Sequence, residues 1–161
     1  MPPTADESRT GADRVLELLR KATELAREYY ELTDRPLGIT GEVAEFEAVR
    51  LVPDLELAPP RQEGYDATRR RCGRTERIQI KGRRFSGEDR KKTQRTGVIN
   101  VNHEWDALML VLLNERFETV EIHEIARGSV VAEIERPGSK ARARGQLPVS
   151  WLKKYGRQIW P

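Results

Sequence analysis

Asp66, Gln79 and Lys81 stand in "GYDATRRRCGRTERIQIKGRR", Gly64 to Arg84, which places an aspartate at the head of one β-like segment and the triplet Gln79-Ile80-Lys81 inside the next. If the two segments are adjacent strands, a carboxylate, an amide oxygen and an ammonium converge. Hard cations such as Mg²⁺ take oxygen ligands, so the carboxylate and the amide oxygen can hold one against a scissile phosphate. Lys81 can then position or deprotonate water, and its charge joins that of the metal in stabilising the developing phosphate charge. The set is a workable phosphodiester-hydrolysing site that lacks one carboxylate.

Upstream, "GEVAEFEAVRLV" offers two candidates for it. Glu42 and Glu45 lie three residues apart on the same helical ridge as Val49 and Val52, which are expected to face the core. An acid on such a ridge has a second explanation in a salt bridge to a neighbouring arginine, or in exposure near a helix start where the dipole favours anions.

These residues need a scaffold, and the patterning supplies one. "DRVLELLRKATELAREYYEL" spaces Val15, Leu18, Leu19, Ala22, Leu25, Ala26 and Tyr29 as one face of a long helix, preceded by a polar tail over residues 1–12 expected to be disordered. "TDRPLGIT" breaks the pattern, Thr40 can cap the second helix, and Pro53 should stop it. "LELAP", "GYDATR" and "TERIQIKGRR" suit an antiparallel meander. In the last of these Ile78 and Ile80 point to a core face, while Arg77, Gln79, Lys81 and Arg83 point to a charged one. "FSGEDRKKTQRTGVINVNHE" reads mostly as loop. "WDALMLVLL" predicts a strand covered on both faces, paired through "NERFE" with "TVEIHEI". "RGSVVAEIERPG" predicts a helix, and "PVSWLKKYGRQIW" a last short helix with an apolar tail. Residues 13–161 are expected to form a single domain.

Charge is segregated along the 161 residues. Residues 69–95 carry 12 Lys/Arg against 3 Asp/Glu and residues 136–161 carry 7 against none, whereas residues 1–68 and 96–135 are acidic. Two basic blocks interrupting an acidic chain are either solvated surface or the footprint of a phosphate-rich partner. On the second reading Arg83, Arg84, Arg90, Lys91, Lys92 and Arg95 flank the site, within a block running from Arg69 to Arg95, and contact phosphates. The single cysteine, Cys72, excludes an intramolecular disulfide framework and argues against a Cys-based zinc site. With no apolar run able to span a bilayer and no signal-peptide plan at the start, a cytoplasmic protein without membrane association is expected.

The order helix Glu, strand Asp, strand Gln-x-Lys, then a buried apolar strand resembles the core of the PD-(D/E)XK, or restriction-endonuclease-like, nuclease superfamily. "GE" at Gly41-Glu42, "GYD" ending at Asp66 and "QIK" at Gln79 to Lys81 carry the likeness. The glutamine variant is similar to that of Mrr-type enzymes, and the whole chain is similar to a family of small bacterial proteins with this fold. The resemblance covers roughly Thr40 to Ile125, about half the chain. It implies an α/β fold with a central mixed sheet flanked by helices, and a Mg²⁺- or Mn²⁺-dependent nuclease acting on nucleic acid, DNA in the first instance. Glu42, Asp66 and Gln79 would hold the metal, with Glu45 in reserve, and Lys81 would be catalytic. Two departures stand out: the helix that usually follows the (E/Q)xK strand is missing from the pattern between Arg83 and Glu104, and Gln79 is neutral. The alternatives are a non-catalytic nucleic-acid-binding module on the same fold and a subunit of a larger assembly; a homodimer is also compatible.

Other residues invite chemistry less well. His103 sits in a polar loop, and His123 alternates with Ile122 and Ile125, which suits surface or pairing roles. Cys72 has no His or second Cys near it, and Gly138-Ser139-Lys140 lacks the glycines of a phosphate loop. Trp105, Trp151 and Trp160 are expected to pack rather than stack on bases.

Overall fold

The computed structural model describes residues 11–33, 37–85 and 94–161. The chain divides into two compact units, one up to Ile39 and one from Thr40 to Pro161. The first unit is the expected long helix, α1 (Gly11–Thr33), which starts two residues inside the expected tail; residues 1–10 of that tail lie outside the described residues. On α1, Glu17 pairs with Arg14 and Lys21 one turn to either side.

The second unit runs α2 (Thr40–Leu51), β1 (Leu55–Leu57), β2 (Ala67–Arg71), β3 (Arg74–Arg84), β4 (Ala107–Leu113), β5 (Thr119–Ala126), α3 (Arg127–Glu135), α4 (Lys140–Arg144), α5 (Val149–Tyr155) and β6 (Arg157–Trp160). Its strands form one six-stranded mixed sheet in sequence order, antiparallel throughout except where β3 runs parallel to β4. The expected meander is therefore present. The β2–β3 turn is Cys72-Gly73, with φ of 50° and 75°; two left-handed residues give the turn whose twist suits a hairpin.

Helices cover both faces. On one, α2 lies against the side of β3 that carries Ile78 and Ile80. A Cβ built on Gly82 would stand 2.6 Å from Ala44 Cβ and 2.8 Å from the Thr40 carbonyl oxygen. Only glycine permits that approach, and this explains a glycine within a strand. On the other face Leu108, Leu110 and Leu112 of β4 pack with Trp105, Val130, Ile134, Leu147 and Leu152. Every residue of β4 is buried, as a strand covered on both sides must be.

Four sequence expectations change. The inward stripe of α2 is Val43, Ala44, Ala48 and Val52, with Glu42 exposed and Glu45 and Val49 half-buried; small alanines let the helix approach Gly82, which rotates the acidic ridge to the margin. The face of β3 expected to be charged is not uniformly solvated, because Gln79, aligned with Leu108, is only 7% exposed. The apolar tail is an edge strand, β6, pairing with β5 through His123–Gln158 and Glu124–Arg157; Gly156 stops α5 and the alternating Arg157–Trp160 extends. Helix α4, unpredicted, is nucleated by Ser139, whose hydroxyl accepts from the Ala141 amide. The crossover from β3 to β4 holds no helix among its described residues, 94–106, while residues 86–93 lie outside them.

Replacing Gly82 with alanine forces α2 off the sheet and is expected to cost about 1–3 kcal/mol, read as a lowered urea midpoint. An unchanged midpoint would contradict the close approach.

Candidate functional site

Strand β2 starts at Ala67, opposite Ile78, whereas β3 continues to Arg84. Beyond Ile78 the edge of β3 that faced β2 is open, and Asp66 takes it up. The Asp66 amide donates to the Ile78 carbonyl at 2.9 Å, and Asp66 Oδ2 accepts from the Ile80 amide at 2.6 Å. The aspartate thus brackets Gln79 from the neighbouring chain segment, and spending Oδ2 on the backbone leaves Oδ1 as its other oxygen. Sequence reasoning placed Asp66 and the Gln-x-Lys triplet on adjacent segments, and the structure does so.

Two residues apart on β3, Gln79 and Lys81 share a face. Gln79 Oε1 is buried and has no hydrogen-bond partner among the described residues. A buried acceptor left unpaired costs about 1–3 kcal/mol, so it calls for an explanation. Lys81 is half-buried and forms no salt bridge among the described residues.

The helix acid is the informative member. Burial pushes the Glu45 carboxyl up to about 7, with the negative charges of Asp66 and then Glu42 adding to the rise and the positive charge of Lys81 opposing it. Glu45 therefore lies within electrostatic reach of the other three. Glu42 is in the first turn of α2 and exposed, so it stands at the rim. Among the described residues no group of three or more His, Cys, Asp or Glu side chains is placed to hold a metal ion. Of the expected foursome, Glu42, Asp66 and Lys81 all act on Glu45, while Glu42 itself is exposed and Gln79 is buried and uncharged.

Because its folded pKa lies above its unfolded value, Glu45 adds stability below about pH 4.5 that is lost as pH rises through about 7. Discounted for its half-exposed position, the penalty at pH 8 is about 1 kcal/mol. Glu45→Gln is thus expected to raise the melting temperature by about 2–4 °C at pH 8 and to change it little at pH 4.5. Thermal melts at both values test this, and equal shifts at both would contradict it.

The basic residues divide. Arg69, only 6% exposed, is held by Glu76 at 2.7 Å and Glu124 at 2.8 Å, and Arg77 is held by Glu104 and Asp106. The expectation that the whole block from Arg69 meets phosphate is corrected there, since these guanidiniums are already neutralised by carboxylates. Arg84 lies over the Phe117 ring and donates to the Glu115 carbonyl, and Arg95 is half-buried in a bridge to Pro148. Arg83 is exposed. Arg90, Lys91 and Lys92 lie outside the described residues.

The residues set aside in the sequence have structural roles. His123 is buried with Nε2 2.7 Å from Glu121, and His103 Nε2 lies 3.1 Å from Asn100 Nδ2. Ser139 is a helix cap, Cys72 is exposed in the hairpin turn, and Trp105 is buried, donating to the Asn100 carbonyl. Gly82 carried no functional expectation, although a glycine between Lys81 and Arg83 in a strand was the available signal.

No protein-family model matches this chain, and no curated protein matches it.

Proposed function

We propose that this protein is a divalent-metal-dependent nuclease of restriction-endonuclease-like architecture, hydrolysing phosphodiester bonds of nucleic acid, with DNA as the first substrate to test. The reading is carried by one observation above the others: Asp66 sits beside the Gln79-x-Lys81 triplet at the open edge of β3, its Oδ2 accepting from the Ile80 amide at 2.6 Å, and near it Glu45 of α2 has its carboxyl pushed up to about 7, by burial first and then by the charges of Asp66 and Glu42. Asp66 and Lys81, from two other short motifs distant in sequence, both act electrostatically on Glu45. Perturbed carboxyls beside a lysine cluster at functional sites more often than elsewhere.

The donor set suits Mg²⁺ or Mn²⁺. Asp66 and Glu45 offer carboxylate oxygens, and the unpartnered Gln79 Oε1 offers the neutral one, so two acids and an amide serve without a third acid. Glu42, exposed at the rim, stays outside this set. When bound, the cation supplies charge stabilisation at the scissile phosphate and acidifies water. Lys81 Nζ neutralises charge on the phosphate oxygens and orients the attacking water. With a cation bound Glu45 would serve as an anionic ligand; the proton that the attacking water gives up as its oxygen bonds to phosphorus passes to solvent, and the ester oxygen freed when its P–O bond breaks takes a proton from solvent. Asp66, fixed by the Ile80 amide, keeps its carboxylate oriented without a change of rotamer.

A second reading, a nucleic-acid-binding module without turnover, is favoured by the neutral Gln79 and by the absence of a three-acid group among the described residues. Incubating mixed single- and double-stranded DNA and RNA with the protein and Mg²⁺, Mn²⁺ or EDTA decides between them. Cleavage that EDTA stops supports the nuclease; binding without cleavage in either metal supports the module.

A further inference from the structure

Seven Lys and Arg and no acid lie in residues 136–161, and the structure sorts them. Arg136 is held by Glu133, Lys153 by Glu121, and Arg157 lies 3.7 Å from Glu124, while Lys154 stands over the Tyr155 ring. The three on α4, Lys140, Arg142 and Arg144, are all exposed, and none of them is in a salt bridge among the described residues. Helix stability does not account for the trio. Arg142 and Arg144 in the last turn oppose the helix dipole favourably, but Lys140 at the first position sits where a cation is disfavoured.

This short helix is held rigidly from outside. Ala141 is buried, Ser139 caps the start, and Gly145 closes the end with φ of 61°. Beyond it the chain is stitched to the segment that returns from the first basic block. The Ile99 amide donates to the Gly145 carbonyl at 2.8 Å, the Thr96 amide to Leu147 at 2.9 Å, and the Val149 amide to Gln94 at 2.9 Å. Leu147 in turn donates to Thr96 Oγ1 at 3.2 Å, and Arg95 bridges Pro148. The two basic blocks, far apart in sequence, are thus tied together at Gln94–Ile99 and Gly145–Val149.

We propose that Lys140, Arg142 and Arg144 form a backbone-binding surface for nucleic acid, contacting phosphates without reading sequence and separate from the residues assigned to hydrolysis. The inference rests on the reading of the partner as nucleic acid. Exposed, unpaired cations on a fixed element contribute electrostatic, salt-sensitive affinity, each phosphate contact on duplex DNA adding about 0.9 to the log–log salt slope.

The test is fluorescence anisotropy of a labelled DNA duplex in EDTA over a KCl series, using the full chain. The triple variant Lys140→Gln/Arg142→Gln/Arg144→Gln is expected to lose about 2–3 from the magnitude of the slope and roughly 100-fold in affinity at 0.15 M salt. Arg142→Lys/Arg144→Lys keeps the charge and should keep the slope; Arg136→Gln, which removes a cation already paired, should keep it too. If the wild-type protein binds and the triple variant shows the same slope, the α4 surface is overturned while the carboxylate site stands. If the wild-type protein binds no duplex, or binds phosphatidylserine vesicles instead, the nucleic-acid reading fails and the α4 assignment fails with it.

Discussion

Lys81→Ala is expected to lower turnover of a nucleic-acid substrate by about 10²–10⁴-fold, the range lost when a group that moves a proton or stabilises transition-state charge is removed. Binding should weaken only a few-fold, because one phosphate contact among several is worth about 0.9 in the salt slope. The asymmetry follows from position: Lys81 is half-buried and acts on Glu45, whereas the cations suited to gathering substrate are exposed. Single-turnover cleavage and anisotropy on the same variant separate the two effects. A parallel fall in both would mean that Lys81 only binds.

Asp66 has the second largest expected effect, and two substitutions divide its roles. Asp66→Asn keeps an amide oxygen for the Ile80 N–H, so the fold should be nearly undisturbed while the carboxylate is lost. Mn²⁺ binding measured by calorimetry should then weaken by more than the roughly 10–100-fold that loss of an outer-shell partner costs. Asp66→Ala removes the acceptor as well, leaving the amide of buried Ile80 unpaired at a cost of about 1–3 kcal/mol. Unchanged Mn²⁺ binding in Asp66→Asn would place the metal elsewhere or nowhere.

Periodicity carried most of the fold. The apolar run ending at Leu113 was expected to be a strand covered on both sides, and β4 is one, and Ile78/Ile80 alternation identified the buried face of β3 but not the burial of Gln79 on the other. Local signals failed where tertiary pairing decides: "GRQIW" became a strand because β5 offered an edge, and "KARAR" became a helix because Ser139 capped it. For the site, residue types and order placed Asp66 beside Gln79-x-Lys81. They could not rank Glu42 against Glu45, which lie on one ridge; the ranking depends on how far α2 rolls, and that is set by Gly82 against Ala44. The burial of Gln79 was equally hidden, since alternation alone cannot tell a solvated face from a buried one. Charge counting found both basic blocks but not which cations were already paired, because Arg69 meets Glu124 only through the sheet.

The central claim is that Glu45 and Asp66 bind one divalent cation, with Lys81 acting beside it on the phosphate. Titrating the Glu45 side-chain carboxyl by ¹³C NMR, with and without Mg²⁺, tests it most directly. Without metal the carboxyl should titrate near 7, and lose only part of that rise in Asp66→Asn, because burial is the larger cause. With saturating Mg²⁺ it should fall to the ordinary carboxylate range or below, since a bound cation favours the charged form. A Glu45 titration that Mg²⁺ leaves in place would contradict the site.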